Sequence, residues 1–158
     1  MGKKQSKVES YLLDSGSLMG GETFIIAAKA MPLGGFMKSA RSTSYLMFGA
    51  VGAIASTISD KRAPEPAEVE AKLKNGAYVA LTSLRVILLS VGAMSSSPKE
   101  LVLSIDRSAI QGVEMGTTRV SLLKLPTLSL LFADGDPLQF EFAKPDAKDA
   151  QALYEALQ

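Results

Sequence analysis

The chain has 158 residues, 47% of them hydrophobic, which suits one folded domain with a real core and excludes a disordered protein. A net charge of +1 gives no global field toward nucleic acid, so we expect no nucleic-acid partner. Cysteine and histidine are both absent, which removes disulfides, thiolate nucleophiles, imidazole bases and the usual zinc ligands. We therefore expect a protein that is not an enzyme, with no catalytic residues, no metal site and no cofactor.

Residues 1–21 are predicted to form a flexible N-terminal tail, with a possible helical turn from Val8 to Leu13. No secretory signal is evident, because the start is polar and the apolar run 11–13 is too short. The default location is therefore cytoplasmic. Residues 1–6 match the Met-Gly-x-x-x-Ser pattern of N-myristoylation, so lipidation of Gly2 stays open beside a solvated start.

Residues 22–158 are predicted to form one domain, whose first strand covers 22–31 and ends at Pro32. Residues 36–75 then break the β pattern and are predicted to be a helical insertion. Residues 36–59 contain no proline and no acidic residue, and 45–58 are apolar on all sides of a helix. Those fourteen residues would reach about 21 Å, short of the roughly 30 Å of a bilayer core.

Two interpretations of this insertion stay open. It is either a buried or dimer-covered helix, whose small residues let another backbone approach, or an element that lies on or in a membrane. In the second case its basic flanks would meet anionic headgroups. The candidate contact residues for a membrane or a partner are Lys38, Arg41, Tyr45, Phe48, Ile54, Lys61 and Arg62.

A second short helix is predicted from Pro66 to Gly76, and strands follow. Residues 78–81 and 85–91 flank a tight turn. Three further runs alternate apolar and polar residues, and their predicted inward side chains are Leu101, Leu103 and Ile105, then Val120 and Leu122, then Leu128, Leu130 and Phe132. A last strand presents Leu138, Phe140 and Phe142, and Asp134-Gly135 before it is a type I′ hairpin signal.

A closing amphipathic helix is predicted over residues 146–157. Asp146 can cap its first turn, and Ala150, Leu153, Tyr154 and Leu157 form one apolar face. This face would cover the open end of a small β-barrel. Arg85, at the start of a strand, is expected to satisfy a neighbouring turn or Glu114 rather than a ligand.

Residues 78–89, 101–114 and 128–142 resemble successive segments of bacterial pleckstrin-homology-like (PH-like) domains. Thr82 before a turn and Arg85 opening the next strand match that family's pattern. The resemblance implies a seven-stranded barrel, a C-terminal helix, a non-enzymatic role and self-association through strand edges. Relatives that bind phosphoinositides use a cluster of basic residues in the loop between the first two strands. The insertion replaces that loop here, so no specific phosphoinositide site is expected.

The sequence therefore predicts a mainly β fold with α: a PH-like barrel of about seven strands, capped by a C-terminal α-helix, with a helical insertion between strands 1 and 2. The predicted function is a non-catalytic binding or scaffolding module, membrane-proximal through the insertion. The alternative is a homo-oligomeric protein-interaction module that uses the same helix or a strand edge. Its partner would be a membrane surface or another protein, and its place the cytoplasm or the inner face of the membrane.

Overall fold

The computed structural model describes residues 2–32, 72–73, 75–92, 94, 96–120, 122–133 and 137–158, and for Pro32 and Val120 it describes the backbone only. Within these residues there are two α-helices and seven β-strands. In chain order they are α1 (Lys3–Asp14), β1 (Phe24–Pro32), β2 (Ala77–Thr82), β3 (Arg85–Val91), β4 (Pro98–Asp106), β5 (Gly112–Val120), β6 (Leu123–Leu131), β7 (Leu138–Glu141) and α2 (Ala147–Leu157), with 3-10 turns at Arg107–Ala109 and Lys144–Asp146.

The strands form one antiparallel sheet in the order β4-β3-β2-β1-β7-β6-β5. β1 joins the two halves, since its residues 24–30 pair with β2 while Met31 and Pro32 pair with β7. Ile105 of β4 and Leu128 of β6, from opposite ends of this order, belong to one hydrophobic core. The sheet therefore curls on itself, and the predicted seven-stranded, barrel-like fold with a C-terminal helix is confirmed. The predicted insertion over residues 36–75 lies almost wholly outside the described residues.

Apolar side chains at alternate positions of the strands form this main core, and two positions differ from the predicted pattern. The inward side chains of β6 and β7, including Leu128 and Phe140, are buried as predicted. On β4, Leu103 pairs opposite Leu88 but Leu101 pairs opposite Leu89, so Val102 is an extra residue in the strand. This bulge reverses the alternation and sends Leu101 to the opposite face, against a second cluster.

The second departure is Leu122, which was predicted to continue an inward alternation. The structure ends β5 at Val120 and starts β6 at Leu123, so Leu122 lies in the turn between them. Its side chain is exposed there, because a turn residue has no pleated neighbour to direct it inward.

The N-terminal segment differs from the flexible tail expected over residues 1–21. It contains α1, whose Val8 and Leu12 are fully buried against the outer face of the sheet. The sheet side of this second cluster is formed by Ala27, Tyr78, Ala80, Ile87, Leu89 and Val91. Isolated helices of this length are marginal in water, so tertiary packing rather than local propensity holds α1.

α1 also supplies hydrogen bonds to β1. The side-chain amide of Gln5 donates to the carbonyl oxygen of Ala27 at 2.6 Å and accepts from its backbone N–H at 2.7 Å. The N–H and the carbonyl group of Ala27 therefore point away from β2. Within the described residues, β7 pairs with β1 only at Met31 and Pro32, so Gln5 supplies the hydrogen bonds that β7 does not make with Ala27. The helix thus covers an edge that the curled sheet would otherwise leave open.

α2 packs against the main core through the predicted face. Ala150 and Leu153 are fully buried, and Tyr154 and Leu157 pack beside them. Asp146 precedes the helix but makes no side-chain capping bond, which corrects its predicted role. Its carboxylate instead forms an ion pair with Lys4 of α1, so the starts of the two helices are tied together.

The adjacent residues Leu12 and Leu13 test whether α1 is part of the fold. We expect Leu12→Ala to lower the free energy of unfolding by about 2–5 kcal/mol, because it leaves a cavity between helix and sheet. Leu13 is 61% exposed, and Leu13→Ala should change the stability by no more than about 0.5 kcal/mol. Urea denaturation measures both, and equal, negligible effects would restore the flexible tail.

Candidate functional site

The residues predicted to contact a membrane or partner lie outside the described residues: Lys38, Arg41, Tyr45, Phe48, Ile54, Lys61 and Arg62. The structure describes the strand ends between which their segment runs. β1 ends at Pro32, β2 begins at Ala77, and Ala77 pairs with Ala30. Residues 33–76 therefore connect two neighbouring strands at one end of the sheet.

The C-terminal end of this connection is fixed to the barrel. Leu73 is fully buried in the main core, and Lys72 Nζ lies 3.5 Å from Glu100 Oε2 on β4. Gly76 has a φ of +107°, and a Cβ there would lie 3.1 Å from the carbonyl oxygen of Ala30 and 3.2 Å from Met31 Sδ. Glycine is therefore the residue that lets the chain return into β2 so close to β1.

The β3–β4 loop lies at the same end of the sheet. The Tyr78 hydroxyl donates to the carbonyl oxygen of Ser96 at 2.6 Å, and Lys29 Nζ lies 3.4 Å from Ser96 Oγ. Burial raises the pKa of Tyr78, Lys4 lowers it and Asp146 raises it further, so the net shift keeps the phenol protonated and able to donate. Ser96 itself has a φ of 52°, in the left-handed region, so two side chains hold the loop at its strained residue.

A shallow cleft of about 400 Å³ lies between α1 and the start of β4. It is lined by Ser6, Lys7, Ser10, Tyr11, Ser97 and Pro98. The Tyr11 hydroxyl donates to the carbonyl oxygen of Lys99 at 3.1 Å, and burial, with the charge of Glu100, raises the pKa of Tyr11. The lining offers hydroxyl groups and one ammonium group, which can hydrogen-bond a small polar group but form no acid-base pair.

A buried polar network lies around the β2–β3 turn. Arg85 Nε lies 2.9 Å from Glu22 Oε1, and Arg85 Nη2 lies 3.0 Å from Glu22 Oε2, so the ion pair is bidentate. The Thr82 hydroxyl donates to the same carboxylate and accepts from the N–H of Arg85 at 3.0 Å. Arg85 Nη1 reaches Ser104 Oγ at 3.2 Å, and Nη2 also donates to the carbonyl oxygen of Ser17.

The Glu22 carboxylate is fully hydrogen-bonded within this network. Burial raises the pKa of Glu22, but the bonds from Arg85, the Met19 N–H and Thr82 together outweigh it and lower the pKa below 4.5. The carboxylate is therefore ionised at neutral pH and its oxygens already accept four bonds. Arg85 is accordingly a structural residue, as expected, but its partner is Glu22 rather than Glu114.

Thr82 and Arg85 were identifiable from the sequence, but Glu22 was not. The first two are close in sequence and share a turn, whereas Glu22 is 63 positions from Arg85. No periodic pattern links such a pair. Arg85 lies within an apolar run, which indicates a buried cation that needs an acidic partner. Glu22, directly before the first strand, was the available sign of that partner.

The described residues form neither a metal cluster nor a membrane-spanning helix. There, no three His, Cys, Asp or Glu side chains come together so that they could hold a metal ion. Of the helices in those ranges, none has the length and hydropathy needed to cross a membrane.

Comparison with solved structures identifies the fold. The chain is similar to the crystal structure of a pleckstrin homology domain from Shewanella amazonensis SB2B, with a TM-score of 0.50 and 16% sequence identity, over 97% of this chain and 96% of that chain. No family model matches the sequence, and no curated protein matches it. At this identity the likeness shows the fold alone, so the chain has a PH-like fold, as its resemblance predicted. The fold by itself does not determine a function.

The lowered pKa of Glu22 predicts how stability depends on pH. At neutral pH we expect Glu22→Gln to lower the free energy of unfolding by about 3–5 kcal/mol, because Arg85 stays buried without its counter-charge. A carboxylate whose pKa is lower in the folded state stabilises the fold fully when the pH is above its unfolded-state pKa. That stabilisation is lost as the pH falls through the folded-state pKa. The wild type should therefore approach the variant below pH 4.5.

Urea denaturation of both proteins from neutral pH to about pH 3 measures this convergence. Glu114→Gln is the matched control, since Glu114 is exposed on β5, and its stability should follow the wild type at each pH. A gap between wild type and Glu22→Gln that stays constant over the whole range would contradict the assignment.

Proposed function

We propose that the protein is a non-catalytic PH-like binding module that associates with a membrane surface through residues 33–76. In this proposal Tyr45, Phe48 and Ile54 enter the acyl boundary. The flanking cations Lys38, Arg41, Lys61 and Arg62 meet anionic headgroups. The protein would then be cytoplasmic and peripheral at the inner face of the membrane.

The length of the β1–β2 connection carries the proposal. Neighbouring antiparallel strands can be joined by about two residues, and Ala30 pairs directly with Ala77. Here 44 residues, 33–76, stand between the two strands. Connections longer than about 12–15 residues are uncommon in compact domains and are usually functional. The pairing of β1 with β2 does not require a connection of this length, which supports a role for the segment in binding.

The composition of that segment favours a bilayer interface. Residues 45–58 are apolar on every side of a helix, and 36–59 hold no acidic residue. About 21 Å of helix is too short to span a bilayer alone but suits a position in its interface. Basic residues on both flanks add attraction to anionic lipid of about 1 kcal/mol each near the surface.

Two features of the chain support a non-catalytic role. The sequence has no histidine or cysteine, the side chains that most often act as bases and nucleophiles. Two buried charges, Glu22 and Arg85, are bonded to each other, and both oxygens of the Glu22 carboxylate already accept two hydrogen bonds each.

A homo-oligomeric module remains the second proposal. β4 and β5 are the end strands of the sheet order, and within the described residues their paired neighbours are β3 and β6 alone. The outer edge of either strand could add a strand from a second copy. The apolar segment 45–58 could equally pack against its copy through small residues such as Gly49 and Gly52.

Flotation with vesicles separates these proposals. We expect the full-length protein to float with phosphatidylcholine vesicles that contain phosphatidylserine, and less with phosphatidylcholine alone. A variant that lacks residues 36–62, and the double substitution Phe48→Asp with Ile54→Asp, should stay at the bottom of the gradient. The exposed residue pair Glu155→Gln with Gln151→Glu is a control that should float normally.

Two results would contradict the membrane proposal. One is a full-length protein that never floats and yet stays soluble without detergent. The other is a deletion variant that floats as well as the full chain. Light scattering on the same samples then tests self-association. Its loss with the deletion would assign it to the apolar segment, and its persistence would assign it to a strand edge.

A further inference from the structure

The turn between β5 and β6 exposes two adjacent leucines. Leu122 is 95% exposed and Leu123 is 48% exposed. Scattered exposed leucines are ordinary on protein surfaces, but hairpin turns favour glycine and small polar residues, because those residues adopt turn geometry readily. Two large apolar side chains at such a turn therefore need an explanation outside the fold.

Two cations lie directly behind the leucines. Val120 pairs across the hairpin with Leu123, and the next pair is Arg119 with Lys124. Both cationic residues are exposed. Residues 115–133 include no acidic residue, so nothing on this stretch offsets their charge. We call Arg119, Leu122, Leu123 and Lys124 the hairpin tip.

The hairpin tip stands out from the sheet. β7 pairs with β6 from Thr127 to Leu130, and the Phe142 N–H donates to the carbonyl oxygen of Pro126 at 3.0 Å. Closer to the turn, the described pairing of β6 is with β5, first at Thr118–Leu125, where Leu125 is still buried, and then at Arg119–Lys124 and Val120–Leu123. At about 3.3 Å per residue the two pairs beyond Leu125 extend roughly 7 Å, within the depth of about 5–10 Å that apolar groups reach in a bilayer interface.

We propose that the hairpin tip inserts into an anionic lipid surface, with Leu122 and Leu123 in the acyl boundary and Arg119 and Lys124 at the headgroups. This inference rests on the proposed membrane association and adds a second contact, at another part of the chain, that strengthens it. A protein partner fits less well, because two leucines offer far less area than the roughly 800 Å² per partner of a stable interface. The uniform positive charge matches anionic headgroups.

The hairpin tip and the β1–β2 connection leave the sheet in opposite directions along the strands. Pro32, at the end of β1, pairs with Phe140 of β7, which pairs in turn with Leu128 of β6. From Leu128 to the hairpin tip, β6 extends in the direction of the start of β1, whereas the β1–β2 connection leaves from the end of β1. A chain of 44 residues has ample contour length to reach a bilayer at either end of the domain. The two contacts can therefore be tested separately.

The chain contains no tryptophan, so a single introduced tryptophan reports its own surroundings. Three full-length variants place it at different surfaces: Leu122→Trp at the hairpin tip, Met94→Trp in the β3–β4 loop and Leu13→Trp on α1. All three positions are exposed, at 95%, 98% and 61%. With vesicles of phosphatidylcholine and phosphatidylserine we expect a blue shift for Leu122→Trp, quenching of its emission by brominated lipid, and neither effect for Leu13→Trp.

Substitutions measure the contribution of each part. Leu122→Ser with Leu123→Ser should weaken vesicle binding at least about tenfold, since it removes the apolar insertion. Arg119→Gln with Lys124→Gln should weaken binding to anionic vesicles roughly thirtyfold, and should leave binding to phosphatidylcholine alone unchanged. These side chains are exposed, so thermal unfolding should match the wild type and exclude misfolding as the cause.

The outcomes separate the two membrane proposals. If the protein floats but Leu122→Trp shows no blue shift, the proposed insertion of the hairpin tip is wrong, and the β1–β2 connection remains as the membrane contact. A blue shift at Met94→Trp alone would lead to the same conclusion. Tip variants that bind vesicles normally but lose self-association also overturn the proposed insertion, in favour of a protein contact. A blue shift at Leu122→Trp in a variant that lacks residues 36–62 and still floats as well as the full chain supports the tip while contradicting the connection. Failure of every variant and of the wild type to float overturns both.

Discussion

The buried ion pair between Glu22 and Arg85 fixes the position of the N-terminal third of the described chain. Removing two charges from water is costly, and the pair is tolerable because each nitrogen and oxygen of the two charged groups has a hydrogen-bond partner. Those partners come from separate segments: Ser17 and Met19 after α1, Thr82 at the β2–β3 turn, and Ser104 on β4. A pair with this many dependent bonds determines one arrangement of these segments more strictly than apolar packing could.

Once the segment after α1 is held there, the helix has one place to lie. Lys4 at its start pairs with Asp146, and Gln5 bonds the backbone of Ala27 on β1. α1 is thus fixed at both ends across the outer face of the sheet. The consequence is visible in β2 and β3, where every residue is buried, because the barrel core covers one face and α1 covers the other. Antiparallel strands commonly have one face that is exposed to solvent.

This consequence also explains how far the sequence could be interpreted. The strands of the second half were predictable because alternation with a period of two reports burial on one face, as Leu128, Leu130, Leu138 and Phe140 do. The closing helix was predictable from the spacing of Ala150, Leu153, Tyr154 and Leu157. The interior of β3, Val86 to Leu89, has no polar alternation. That run was a sign of a second covering layer, but nothing local identified residues 3–14 as that layer.

The features that were missed share a physical cause. The bulge at Val102 depends on where β3 places Leu88 and Leu89, and the partner of Arg85 depends on a loop 63 positions away. The role of Asp146 depends on Lys4, 142 positions distant. Each is decided by tertiary contacts that no window of the sequence contains. The candidate membrane residues of the β1–β2 connection stay predictions, since the described residues stop at Pro32 and resume at residue 72.

The distribution of polar groups indicates where recognition can occur on this domain. Among the described residues, no buried side-chain nitrogen or oxygen lacks a hydrogen-bond partner, so the interior offers no unsatisfied group to a ligand. Both faces of the β2–β3 region are covered, and α2 closes the main core. What the fold leaves available are the strand edges and the connections between strands. Apolar side chains exposed in those connections add nothing to the core, so their contribution has to come from a surface outside the domain. Among the described residues, the adjacent leucines Leu122 and Leu123 at the turn of the β5–β6 hairpin satisfy that condition.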